Sequence, residues 1–129
     1  MSIIIDKEFS SLIPKMDKDE YDQLKAISNG LQTLAGTLKT CILACVQVGR
    51  AALLNGDKRP GLHDLKGCGS WEEDADQVLF LHRPAYFGGK DNRTEVILAK
   101  DRVSGNVGSV WMRFDSNAGQ YVPADAEEE

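Results

Sequence analysis

The sequence predicts an α/β fold: a mostly parallel sheet that ends in a β-hairpin. Three observations carry this expectation. Two short apolar runs, SIIID at 2–6 and CILACV at 41–46, flank a long stretch with helical periodicity. A third apolar run, QVLFLH at 77–82, follows a polar, glycine-bearing loop. The alternating segments EVILAKDR and SVWMRFD then surround VSGNVG, the arrangement of two antiparallel strands and a turn.

Composition bounds the answer. At 129 residues the chain suits one domain, and 42% hydrophobic with 27% charged residues describes a globular protein. No apolar run approaches the ~20 residues that span a bilayer. The three cysteines, Cys41, Cys45 and Cys68, are odd in number and lack CxxC spacing, which points to a reducing, cytoplasmic setting. The net charge is −5, and the closing DAEEE carries four of those negative charges. That balance argues against coating nucleic acid wholesale and leaves a local phosphate-binding loop open.

Taken in order, Ser2 to Asp6 is a β-branched strand that ends in a carboxylate. Asp6 reads either as a strand-end residue or as the acid that a buried strand delivers to a nucleotide-bound Mg²⁺ through water. The stretch 7–16 includes Pro14 and reads as a loop. Asp17 to Lys39 reads as a helix, with Asp17 and Glu20 as a capping pair. Leu24, Ile27, Leu31, Leu34, Ala35 and Leu38 form its apolar stripe, expected to pack on a sheet. CILACV suits a strand buried on both faces, with Cys41 and Cys45 as small buried hydrophobes. Strand, helix and strand then make a βαβ crossover. Gln47 ends that second strand, where an amide can sense a phosphate or orient water, or can simply be solvated.

Arg59 to Asp76, RPGLHDLKGCGSWEEDAD, joins a basic, glycine-containing loop to an acidic helix start. Ser70 and Glu73 form an S-x-x-E capping box. The acids Glu72, Glu73, Asp74 and Asp76 suit a helix first turn better than a metal site. His63 and His82 have no partners at catalytic or metal-ligand spacing, and His82 reads as a strand-end residue. Lys100 and Arg102 lie two apart on the first hairpin strand and should point the same way. By themselves they read as an exposed cationic pair that deters edge-to-edge association. From Ser116 the chain is polar and acidic and is expected to be a flexible tail.

The stretch 59–76 resembles the RPxxxDLRESGxIExDAD pattern of DnaB-type replicative DNA helicases. It keeps Arg59, Pro60, Asp64, Leu65, Gly69, Ser70, Glu72, Asp74, Ala75 and Asp76, and differs at Lys66, Gly67 and Cys68. ISNGLQTLAGTL is similar to the family's helix, VQVGR keeps the family's Gln and Arg at Gln47 and Arg50, and Asp6 and Gln47 stand 41 positions apart, as in the family. K-x-R followed by G-x-x-G-x-V and RFD completes the likeness.

The resemblance implies a partial RecA-like (P-loop NTPase) sheet that lacks the Walker A strand, since no G-x-x-x-x-G-K-[ST] occurs. It assigns residues 1–116 to the carboxyl-terminal portion of a helicase ATPase domain and 117–129 to an acidic flexible tail. It implies Walker B chemistry at Asp6 (Mg²⁺ through water), a nucleotide-side role for Arg50 and phosphate sensing by Gln47. Lys66, Gly67 and Gly69 would form a single-stranded DNA loop. Lys100 and Arg102 would form an arginine finger that reaches a neighbouring subunit's ATP. The implied cofactors are ATP and Mg²⁺, with the P-loop supplied from elsewhere. The implied partners are single-stranded DNA and like subunits of a hexameric ring or an upstream P-loop-bearing chain. Alone, the chain is expected to be catalytically inactive, with open sheet edges and apolar faces that favour association. The alternative is a non-catalytic module that docks into helicase rings or binds single strands; a third reading, another RecA-like ATPase such as a recombinase, is opposed by the RPxxxDL…GS…DAD loop with the downstream K-x-R hairpin.

Overall fold

A computed structural model describes residues 2–4, 20–46, 59–65, 71–87 and 92–124. Among these residues, six strands and two α-helices follow in the order β1 (Ser2–Ile4), α1 (Glu20–Leu38), β2 (Leu43–Cys45), α2 (Trp71–Asp74), β3 (Gln77–His82), β4 (Thr94–Asp101), β5 (Gly108–Asp115) and β6 (Gln120–Pro123). Two 3₁₀ turns, Leu62–Leu65 and Pro84–Phe87, precede α2 and β4.

The strands make one sheet in the order β2-β1-β3-β4-β5-β6. β1 pairs in parallel with both β2 and β3, and every later pairing is antiparallel. The architecture is thus the α/β, partial RecA-like sheet expected, with the hairpin extending it. β3 and β4 share a bulge. Leu79 pairs with Leu98, but Val78 pairs with Lys100, so Ala99 is the extra residue.

One face of the sheet carries the core. Ala44, Val46, Leu65, Trp71, Ala75, Val78, Phe80 and Ile97 are buried together, with Leu24, Ile27 and Leu31 of α1 packed against them. The apolar stripe of α1 is only half used, because Leu34 and Leu38 are 45% and 61% exposed. Ser28, fully buried between Leu24 and Leu31, donates to Asp74 Oδ2 at 2.7 Å and docks α1 on α2. The helix ends on Lys39 at φ 50°, with Thr40 N–H donating to Ala35 O and Lys39 N–H to Gly36 O. This is a Schellman closure with lysine where glycine is usual.

Among the described residues, no element covers the opposite face. β3 alternates, with Val78 and Phe80 inside and Leu79 and Leu81 outside, so it is covered on one face rather than two. The same holds at β2, where Ala44 is buried and Leu43 is 54% exposed. Cys41, expected inside, is exposed just before that shorter strand. Leu81, Val96 and Val110 line up across three strands, and Phe114 and Tyr121 pair beyond them with ring centroids 5.2 Å apart. A shallow groove of about 320 Å³ runs between Leu79, Leu98, Val107 and Val110.

The chain stays regular beyond residue 116, against the expected flexible tail. The segment 116–119 turns back, with Asp115 Oδ1 accepting from Asn117 and Ala118 N–H and Gly119 at φ 64°. Residues 120–123 then form β6 against β5. Residues 125–129 lie outside the described residues.

Candidate functional site

Six of the eight residues expected to carry the site, Asp6, Gln47, Arg50, Lys66, Gly67 and Gly69, lie outside the described residues, as do the capping residues Asp17 and Ser70. Lys100 and Arg102 are described, and the structure brings them together.

Their placement follows from the strand. Antiparallel partners share a face, so Lys100, opposite buried Val78, faces the side that α2 occupies. The end of a helix leaves carbonyls without intrahelical donors and with partial negative charge. Lys100 Nζ meets that need, donating to Glu72 O at 2.6 Å and to Glu73 O at 3.3 Å. Arg102 lies one residue beyond β4, in the turn 102–104 and not on the strand as expected. It still faces α2. Its Nη2 donates to Glu73 O at 2.6 Å, its Nη1 to Asp76 Oδ1 at 2.9 Å, and its backbone N–H to Asp76 O at 2.8 Å. The acids 72–76 thus present mainly backbone carbonyls and one carboxylate to the two cations. Among the described residues no group of three or more His, Cys, Asp or Glu converges as a metal site.

The loop base is held by a second set of contacts. Arg59 Nε and Nη2 donate to the two carboxylate oxygens of Glu95 at 3.0 and 2.7 Å. Glu95 is nearly buried in β4, beside His82 on β3. The Arg59 guanidinium holds the Glu95 carboxyl below the usual carboxylate range, against the opposing effect of burial and with help from a Ser109 hydrogen bond. Asp64 Oδ2 accepts from Gly61 N–H at 2.7 Å and closes the 3₁₀ turn. Arg59, Asp64 and Leu65 of the recognised stretch therefore serve the scaffold. Glu95 escaped sequence reading because its partner lies 36 positions away and no local pattern joins them.

Strand direction gives the sheet two distinct ends. β1, β2 and β3 run the same way, and Asp101 on the returning β4 pairs with Gln77, the first residue of β3. Lys100 and Arg102 thus stand at the amino-terminal end of the parallel strands. The carboxyl ends of β1, at Ile4, and of β2, at Cys45, lie at the other end. Ile4 and Cys45 are partners in register, and Asp6 and Gln47 each follow by two residues.

The family described as DnaB-like helicase C terminal domain matches residues 2–123. A probable plasmid replicative DNA helicase of Chlamydia psittaci is 36% identical over 110 residues, covering 84% of this chain and 24% of that protein. The replicative DNA helicase DnaB of Treponema pallidum is 40% identical over 102 residues, covering 79% of this chain and 22% of that protein. The chain therefore spans about a quarter of the length of these relatives. Among solved structures, an ATPase domain matches with a TM-score of 0.81 at 34% identity, over 95% of this chain and 44% of that one. A DnaB-like replicative helicase studied with primase matches with a TM-score of 0.77 at 35% identity, over 87% of this chain and 27% of that one.

Proposed function

The chain belongs to the DnaB-like helicase C-terminal domain family, and from that premise we propose that it supplies the carboxyl-terminal portion of an ATP-dependent replicative DNA helicase, acting in the cytoplasm. Lys100 and Arg102 act as the finger that neutralises charge building on the γ-phosphate of an ATP held by a neighbouring subunit. Gln47 senses the γ-phosphate of the ATP held in its own subunit, and Arg50 serves on the nucleotide side. Lys66, Gly67 and Gly69 contact the phosphates of single-stranded DNA, which fixes the strand without reading bases. Asp6 would support Mg²⁺ through water. ATP and Mg²⁺ would be held against a P-loop that these 129 residues do not contain.

The observation that carries this reading is the division between sheet ends. Across β3 the two ends are separated by five residue steps, about 17 Å at ~3.3 Å per residue. A cation at one end therefore does not serve a phosphate at the other end of its own sheet. Between adjacent subunits, one subunit's finger end can face the next subunit's nucleotide end, which is the geometry a ring requires.

The test mixes the chain with a separately produced chain bearing the P-loop portion of a DnaB-type ATPase domain and follows ATP hydrolysis. The expected result is hydrolysis that needs both chains, rises with single-stranded DNA, and falls about 10³-fold or more in Arg102→Ala. Binding of single strands or of an intact helicase ring, with no hydrolysis from any mixture, would instead establish a non-catalytic docking module.

A further inference from the structure

Arg102 is held more fully than its surface position implies. Beside its two side-chain hydrogen bonds, its own backbone is pinned to Asp76. Asp101, the preceding residue, locks the turn: its Oδ1 accepts from Val103 N–H at 3.0 Å and Ser104 N–H at 3.4 Å, and its Oδ2 from Ser104 Oγ at 2.6 Å. Ser104 Oγ in turn accepts from Asn106 N–H at 3.1 Å.

A guanidinium carries five N–H donors. Asp76 and the Glu73 carbonyl take one from each terminal nitrogen. Among the described residues nothing takes Nε–H or the second hydrogen on each terminal nitrogen, on a side chain that is 46% exposed. An arginine bound in this way keeps enough donors for a phosphate while having already given up rotamer freedom. A mobile one must lose that freedom in the transition state.

We infer that Asp76 is a positioning residue for the Arg102 finger, with the Glu73 carbonyl fixing the guanidinium edge and Asp101 fixing the backbone turn that presents it. The inference rests on the finger reading above. The phosphate-facing group is Arg102; Asp76, which has a further partner of its own, reaches the phosphate only through Arg102. The plain alternative is that the Asp76–Arg102 pair merely staples the β4–β5 turn to α2.

The two accounts differ in kinetics. In the two-chain mixture, Asp76→Ala should lower kcat by about ten- to thirty-fold with the KM for ATP unchanged, the scale of one arginine's rotamer freedom. Asp76→Asn keeps an acceptor oxygen at the same place and should recover most of that loss. In an Arg102→Ala background, Asp76→Ala should add nothing further. An equal loss in both backgrounds, or an unchanged kcat, would overturn the inference. If Arg102→Ala hydrolyses ATP as fast as the parent, the finger reading fails, and the inference with it. A second measurement needs no hydrolysis. In ¹⁵N spectra of the 129-residue chain, the Arg102 guanidinium should be ordered, and Asp76→Ala should release it while the amides of β5 and β6 stay in place. A guanidinium as mobile in the parent as in the variant would show that Asp76 does not hold it.

Discussion

Removing Arg59 tests whether the recognised stretch is held to the sheet by the ion pair with Glu95. Arg59→Ala deletes both donors and leaves the Glu95 carboxylate, 7% exposed, with only the Ser109 hydrogen bond and the neighbouring His82 to support it among the described residues. Deleting one partner of a buried pair costs about 3–5 kcal/mol. The Arg59 side chain is 43% exposed, so solvent screens part of the interaction, and we expect about 2–3 kcal/mol. For a domain of this size that lowers Tm by roughly 6–12 °C. Urea unfolding followed by the fluorescence of Trp71 and Trp111 measures it. Adding Glu95→Gln to Arg59→Ala should restore part of the loss, because the buried charge is gone. A single variant within about 0.5 kcal/mol of the parent, or two substitutions whose costs simply add, would refute the argument.

Three further outcomes follow from the same contacts. Because the folded-state pKa of Glu95 lies below its unfolded value, the pair's contribution should be complete above about pH 4.3 and vanish as pH falls through the lower folded value, so parent and Arg59→Ala urea midpoints should converge in acid. Lys39→Gly removes a side chain from a left-handed helix end and should raise stability by about 0.5–1 kcal/mol, read from the urea midpoint. Leu81→Lys with Val110→Lys places charge on the open sheet face at positions 52% and 60% exposed, and should shift sedimentation toward monomer while changing the urea midpoint little.

Periodicity made much of the fold readable. The step pattern of α1, the run QVLFLH and the alternation around Trp111 each map onto an observed element. What escaped reading depended on partners far away in sequence. Leu34 and Leu38 continue the stripe of α1 perfectly well, yet Ser28 marks where the helix actually docks, and its reason for burial is Asp74, 46 positions on. β6 was hidden by composition: an acidic end suggested solvation, while S-N-A-G supplied a turn and Tyr121 and Val122 a strand. That Lys100 and Arg102 point to the same side was read from their spacing, but the side they face is set by the bulge, and Arg102 lies in the turn beyond the strand. Their carbonyl and carboxylate partners were not legible, because backbone acceptors leave no trace in residue letters.

The bulge at Ala99 makes the number of residues in β4 matter more than their identities. Were the register regular, Ala99 would oppose Val78 and Lys100 would oppose Gln77, which would turn both cations onto the open apolar face. A single codon lost between Glu95 and Lys100 would therefore leave composition and charge almost unchanged and still reverse the direction in which the cations point. Over this segment, substitutions should be tolerated in drift where insertions and deletions are not.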